Sequence, residues 1–151
     1  MKPKFWKLSQ SPDYFSFEEL SSSIENKLVY VHSKTKAKGG SSETQGDKFI
    51  GANVGDYFYL THGNTGIYLL GQLTGSANIF SSMGKGWVDR PFRVIRTAKP
   101  NSRYIGAKKW WAPNENSTFT SVKGSELAMF EEHILQPYFN IQLSDYGVKA
   151  I

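Results

Sequence analysis

The sequence predicts an α+β domain, a small and mostly antiparallel β-barrel with peripheral helices. Three observations lead there. Short runs rich in β-branched and aromatic residues are punctuated by glycine-containing turns, amphipathic helical patterns stand near both ends, and no repeat or linker divides the chain. A single domain from residue 1 to 151 is expected, long enough to bury about two-thirds of its unfolded surface in one core.

Phe5 to Leu8 reads as a short strand. A helix follows, with Ser16 as N-cap and Glu19 three residues on, a capping box in which each side chain satisfies the other's backbone amide. Phe15 and Leu20 fit the apolar staple around that box, and Phe17, Leu20 and Ile24 recur on one face while Glu18 and Glu25 face water. Leu28 to His32 is a strand. Ser33 to Lys48 is full of Lys, Gly and Ser and predicts a mobile loop, in which Lys34, Lys36 and Lys38 are either a solvated surface or a phosphate-contacting arm that orders on binding. Gly55-Asp56 turns into a strand, Tyr57 to Thr61, and the loop His62 to Gly66 leads to an antiparallel partner, Ile67 to Leu73. Phe92 to Thr97 is a strand entered through Pro91, and Phe119 to Val122 is a last short one. Ser125 or Gly124 opens a closing helix whose Leu127, Phe130, Ile134, Leu135 and Tyr138 form a core-facing stripe, ended by Pro137.

The chain has no cysteine, which excludes disulfides, thiolate metal sites and cysteine nucleophiles and fits a reducing cytoplasm. Its first residues carry charge without an apolar stretch of signal-peptide length. No run approaches the roughly 20 apolar residues of a membrane span, so a cytoplasmic protein without a membrane partner is expected. Net charge is +5 and aromatic residues make up 15% of the chain, so nucleic acid is the first partner class to consider.

That charge is uneven. Lys85, Arg90, Arg93, Arg96, Lys99, Arg103, Lys108 and Lys109 face one acid, Asp89, between Met83 and Lys109. Within this stretch Trp87 follows Gly84-Lys-Gly86, so a large flat ring stands at a glycine-punctuated turn amid positive charge. A lone tryptophan is most often a core residue, but the glycines argue for a loop. Lysine and arginine attract phosphate without reading sequence, whereas an exposed ring stacks on a base taken out of its helix.

Enzyme signatures are missing. Gly84-Lys85 is followed by Gly86 where a phosphate loop needs Ser or Thr, and the glycine spacing is wrong. His32, His62 and His133 are scattered without metal-ligand spacing. Glu18-Glu19 and Glu131-Glu132 fall on solvent faces of helices rather than converging on a metal as two-metal nucleases require. A protein that is not an enzyme, with no cofactor and no bound metal, is expected.

Phe5-Trp-Lys-Leu8, Gly55-Asp-Tyr-Phe-Tyr-Leu-Thr-His-Gly63, Gly66-Ile-Tyr-Leu-Leu-Gly-Gln-Leu-Thr-Gly75 and Gly86-Trp87 running into Phe92-Arg-Val-Ile95 resemble, in that order, the EVE domain. EVE domains are PUA-like barrels related to the YTH readers of methylated adenine. Lys108-Lys-Trp-Trp-Ala-Pro-Asn114 and the closing helix are also similar to EVE-like modules at the N-termini of modification-dependent restriction ATPases of the McrB type. The resemblance implies a barrel that accepts a flipped-out base, or one from an unpaired strand, in an aromatic-walled pocket. The matching positions for its walls are Tyr30 to Ser33 and Trp87, with Phe80 in place of a second loop tryptophan. The chain departs from the pattern at Val31-His32, where a tryptophan is common.

The candidate base pocket is therefore Trp87, Tyr30, His32, Ser33 and Phe80, with Trp110 and Trp111 ranked below; if that pair lies on a strand, the two rings point to opposite faces. Candidate phosphate contacts are Lys34, Lys36, Lys85, Arg90, Arg93, Lys108 and Lys109. The expected function is a noncatalytic DNA-binding module that reads a modified, foremost methylated, base by base flipping. It would be the specificity domain of a restriction system whose nuclease subunit or ATPase domain does the cutting. The alternative is an RNA-binding PUA-like domain acting in RNA modification or translation.

Overall fold

The computed structural model describes residues 2–38, 41–64, 66–99 and 104–148. Six strands form one curled, mixed sheet in the order β2-β5-β4-β3-β1-β6: β1 is Phe5–Ser9, β2 Leu28–His32, β3 Tyr57–Thr61, β4 Ile67–Leu73, β5 Trp87–Thr97 and β6 Phe119–Ser121. Among the described residues β1 and β3 run parallel and the other neighbours antiparallel. The result is a half-barrel, small and α+β, and its sheet is mixed rather than purely antiparallel.

The curl comes from β5. Its first half, Trp87 to Pro91, pairs with β2, and its second half, from Phe92, pairs with β4. The strand therefore begins five residues before the predicted one and runs through Pro91. Proline has no amide hydrogen to give a ladder, and here it stands where β5 exchanges one partner for the other.

Two buried clusters line the two faces of the sheet. On one, Phe5, Tyr59, Leu70 and Trp111 pack against the closing helical segment through Phe130, Ile134 and Leu135. That segment begins as a short 3-10 turn, passes through α3 (Leu127–Phe130) and widens into a π-helix, Glu131–Phe139. Pro137 lies inside it, contrary to the predicted end, because the wider turn accommodates a residue that an α-helix interior rejects. On the other face Leu8, Val29, Val31, Phe49, Phe58 and Val88 meet α1 (Phe17–Asn26) and α2 (Gln45–Gly51).

Helix α1 has the predicted capping box, Glu19 N–H to Ser16 Oγ at 3.1 Å and Ser16 N–H to Glu19 Oε1 at 3.0 Å. Phe17, however, is exposed; Leu20 is the buried anchor of the helix. Helix α2 starts inside the stretch read as a mobile loop. Thr44 caps it by accepting from Asp47 N–H at 3.0 Å, and Phe49 plugs it into the core. Positions 39 and 40 of that stretch lie outside the described residues.

Helix α2 also spans the opening of the half-barrel, since β2 and β6 are the sheet's two edges. The Gln45 side-chain oxygen accepts from Thr118 N–H and Phe119 N–H at 2.7 and 2.8 Å, and its Nε2 donates to the Lys36 carbonyl at 2.8 Å. Gln10, just past β1, makes a second bridge. Its Oε1 accepts from Tyr30 N–H at 3.0 Å and its Nε2 donates to the Tyr30 carbonyl at 2.6 Å, so one side chain stands in for a strand along β2.

Candidate functional site

Where the edge of β2 faces the end of β1 and the segment entering β6, the half-barrel opens into a cavity of about 740 Å³. Alternation along the β2-β5 ladder sorts the rings that reach it from the core side chains, although Val31 also borders it. Val29, Val31, Val88 and Arg90 are buried on one side, while Tyr30 stands opposite Asp89 and His32 opposite Trp87 on the other. Tyr30, His32 and Trp87 line the cavity.

Trp87 is the hub of its aromatic wall. His32, Tyr14 and Phe15 meet it edge to face, with ring centroids 5.2, 5.4 and 5.7 Å away and interplanar angles of 84°, 70° and 87°. Phe15 in turn lies 5.8 Å from Tyr30. Tyr14 and Phe15 are brought in by a turn whose Ser11 carbonyl accepts both of their amides, and the His62 ring bonds the Phe15 carbonyl at 2.7 Å.

Close approach fixes His32. Its Nδ1 accepts from Lys34 N–H at 3.1 Å, which leaves Nε2 as the protonated nitrogen of the neutral ring. That edge rests on Gly86, at φ +85°, where a Cβ would lie 2.6 Å from Nε2; Ser33 N–H donates to the Gly86 carbonyl at 2.8 Å. Glycine here gives both the backbone angle and the room for the ring.

The opposite wall is polar and comes from residues 115–118. Lys7, fully buried on β1, holds it from behind by donating from Nζ to the Glu115 carbonyl at 2.7 Å and to Ser117 Oγ at 2.9 Å. Burial lowers the Lys7 ammonium to about 8, partly opposed by the Glu115 carboxylate. Burial, with the nearby Asp89 charge, raises the Tyr30 phenol above its ordinary value, so it stays a neutral hydroxyl at the cavity.

Of the predicted site residues, the structure brings Trp87, Tyr30, His32 and Lys34 together at the cavity. Ser33 is their neighbour, tied by its own amide to Gly86. Lys85 is exposed in the turn that enters Trp87, and Lys36 is exposed beside α2 with its carbonyl held by Gln45.

Several candidates belong elsewhere. Arg90 is not a phosphate ligand: it is 1% exposed, and its guanidinium donates to the carbonyls of Gly75, Phe49 and Ala52, tying the end of α2 to the β4-β5 connection. Trp111 is a core residue, packed on Phe130 with Nε1 donating to Glu126. Its partner Trp110 is exposed under Lys38 Nζ, 5.5 Å from the ring centroid, and does not line the cavity. The pair sits in turns rather than on a strand. Phe80 is 86% exposed and outside the cavity lining. Arg93 is engaged with Gln72, Lys109 pairs with Glu126 at 2.9 Å, and Lys108 is exposed away from the cavity. Arg103 lies outside the described residues.

Sequence reasoning missed Gln10, Tyr14, Phe15 and the 115–118 wall. Tyr14 and Phe15 were legible only as an aromatic pair before a helix cap; nothing local marked Gln10 or residues 115–118, which reach the cavity through long-range contacts. Among the described residues no three His, Asp or Glu side chains converge as a metal site, and no helix is long and apolar enough to cross a membrane.

No family model and no curated protein matches the chain. Three solved structures share partial likeness. They are a crystal structure of a protein from Agrobacterium tumefaciens (14% identity, TM-score 0.39, 62% of each chain covered), an NMR structure from Rhodopseudomonas palustris (16%, 0.37, 64% of this chain and 63% of that one), and a hypothetical protein from Leishmania major (17%, 0.37, 62% and 66%). The chain thus spans less than two-thirds of the length of each.

Proposed function

We propose that this chain is a noncatalytic module that reads a modified, foremost methylated, base in duplex DNA by taking it out of the helix into the cavity beside Trp87. In this reading an EVE-like, PUA-type half-barrel supplies the specificity of a modification-dependent restriction system, and a separate nuclease subunit or ATPase domain supplies the cutting.

The observation that carries the reading is the wall of the cavity, where Trp87 is buttressed by Tyr14, Phe15 and His32. Its volume, about 740 Å³, falls within the roughly 300–1,000 Å³ of small-ligand sites. Extruding a base costs a few kcal/mol of stacking, and one aromatic ring returns about 1–3 kcal/mol. A methyl group adds only about 0.8 kcal/mol when buried, so discrimination has to come from polar contacts as well. In this reading the neutral Tyr30 hydroxyl and the polar 115–118 wall, both at the cavity, supply them. Lys34 at the cavity and Lys85 before Trp87 offer phosphate contacts.

One sequence prepared as methylated duplex, plain duplex, unpaired strand and matching RNA, titrated at one salt concentration, tests the proposal. Wild type should prefer the methylated duplex, and Trp87→Ala should lose about tenfold to a hundredfold of that affinity while keeping a cooperative unfolding transition. A preference for RNA would move the reading to an RNA-binding domain. Loss of cooperative unfolding would make Trp87 a core residue.

A further inference from the structure

The connection between β4 and β5 carries Ile79 at 58% exposure and Phe80 at 86%. Single exposed apolar residues are ordinary, but the backbone under this pair is held on both sides. Asn78 and Asp89 exchange backbone hydrogen bonds of 2.8 and 3.1 Å, and Asn78 Oδ1 accepts from Phe80 N–H at 3.1 Å. Beyond Phe80, Gly84 N–H donates to the Ser81 carbonyl and Trp87 N–H to the Gly84 carbonyl, each at 3.2 Å. Asp89 is the rung opposite Tyr30, and Trp87 the rung opposite His32. The loop that presents Phe80 to water is thus fastened to the two rungs that wall the cavity.

We propose that Phe80, supported by Ile79, is the wedge that enters the duplex where the modified base leaves it; this rests on the reading of the cavity as a base pocket. Extruding a base leaves its neighbours without a stacking partner, and an uncharged apolar side chain inserted at the step restores apolar contact without bringing a charge to be desolvated. A loop free to move would fold Phe80 down against the protein, whereas a pinned loop keeps it projecting. Exposed Lys85, on the same connection, makes a polyanionic duplex the matching partner rather than an apolar protein face.

The test uses the whole chain and two labelled duplexes, carrying one 5-methylcytosine or one N6-methyladenine, together with the plain duplex of each sequence and the same modified strands unpaired. Phe80→Ala should weaken the preferred duplex about tenfold and leave the unpaired strand, whose base needs no extrusion, unchanged. Phe80→Trp should retain duplex binding. Equal weakening of duplex and single strand would make Phe80 a plain contact and overturn the wedge. If Trp87→Ala weakens both forms and Phe80→Ala weakens neither, the wedge fails and the cavity reading stands. If wild type prefers neither methylated duplex over plain DNA, or Trp87→Ala binds as wild type, the cavity reading has failed and the wedge falls with it.

Discussion

Replacing Arg90 by methionine keeps most of the side-chain volume and removes the guanidinium. Three carbonyls then lose their donor: Phe49 and Ala52 at the end of α2, and Gly75, which accepts from Nε at 3.1 Å and Nη2 at 2.9 Å. A buried acceptor left unpaired costs about 1–3 kcal/mol. The Phe49 and Ala52 carbonyls are reached through buried contacts, while Gly75 is half-buried and open to water, so the two at the helix end dominate. Their loss amounts to about 2–6 kcal/mol before relaxation, and about 3–4 kcal/mol is the expected fall in unfolding free energy. Against a typical total of about 5–15 kcal/mol this is a large fraction. Equilibrium unfolding in urea at neutral pH measures it, and the salt dependence of DNA binding is read on the folded fraction. The salt slope should not change, because the charge removed faces carbonyls rather than phosphate. Arg90→Lys should recover little, since a single ammonium does not reproduce the planar fork. A loss under about 1 kcal/mol together with a salt slope lowered by about one would refute the reasoning and return Arg90 to the phosphate face.

Gly86→Ala places a Cβ 2.6 Å from His32 Nε2 at a φ of +85°, so about 1–2 kcal/mol of stability and most of the preference for a modified base should go together, read by thermal unfolding and by titration. Intact preference would show that the His32-Trp87 contact does not shape the pocket. Lys7 titrates near 10.5 when unfolded and about 8 when folded. Between those values the unfolded chain holds a proton that the native chain has lost, so raising the pH stabilises the fold. Relative to Lys7→Met, wild type should gain up to about 3 kcal/mol from pH 8 to 10.5 in urea unfolding, and no relative gain would mean that Nζ is hydrated as in the free chain. Lys34→Ala and Lys85→Ala should each lower the log-affinity against log-salt slope by about one on modified and plain duplex alike; an unchanged slope in both would move the phosphate face toward Lys108.

The strands Leu28–His32, Tyr57–Thr61 and Ile67–Leu73 were legible because their β-branched and aromatic runs end at turn residues, and α1 because its capping box is local. Helix α2 was not: its apolar face is little more than Phe49, and the Thr44-Asp47 cap was the one signal in a polar stretch. Trp87 was reachable from sequence because a ring at a glycine turn amid positive charge implies a mouth, whereas Tyr30 and His32 were reached only through the resemblance to EVE and YTH domains. Arg90 was misplaced although the clue stood beside it. If Trp87 faces the cavity, period-two alternation sends Val88, Arg90 and Phe92 to the opposite face, where all three are buried. Charge pattern suggested phosphate and strand parity decided otherwise.

The two glutamines that span the mouth also bear on how this protein behaves in a crowd. A half-barrel ends in two strands, and each outer row of amides and carbonyls is a template on which another chain can add its own strand. Gln10 occupies both backbone groups of Tyr30 on β2, and Gln45 takes the amides of Thr118 and Phe119 at β6, so part of each template is already filled from within. An incoming strand has to displace a side-chain amide before it makes its first bond. The opening is thereby less inviting to a guest that arrives as a peptide strand.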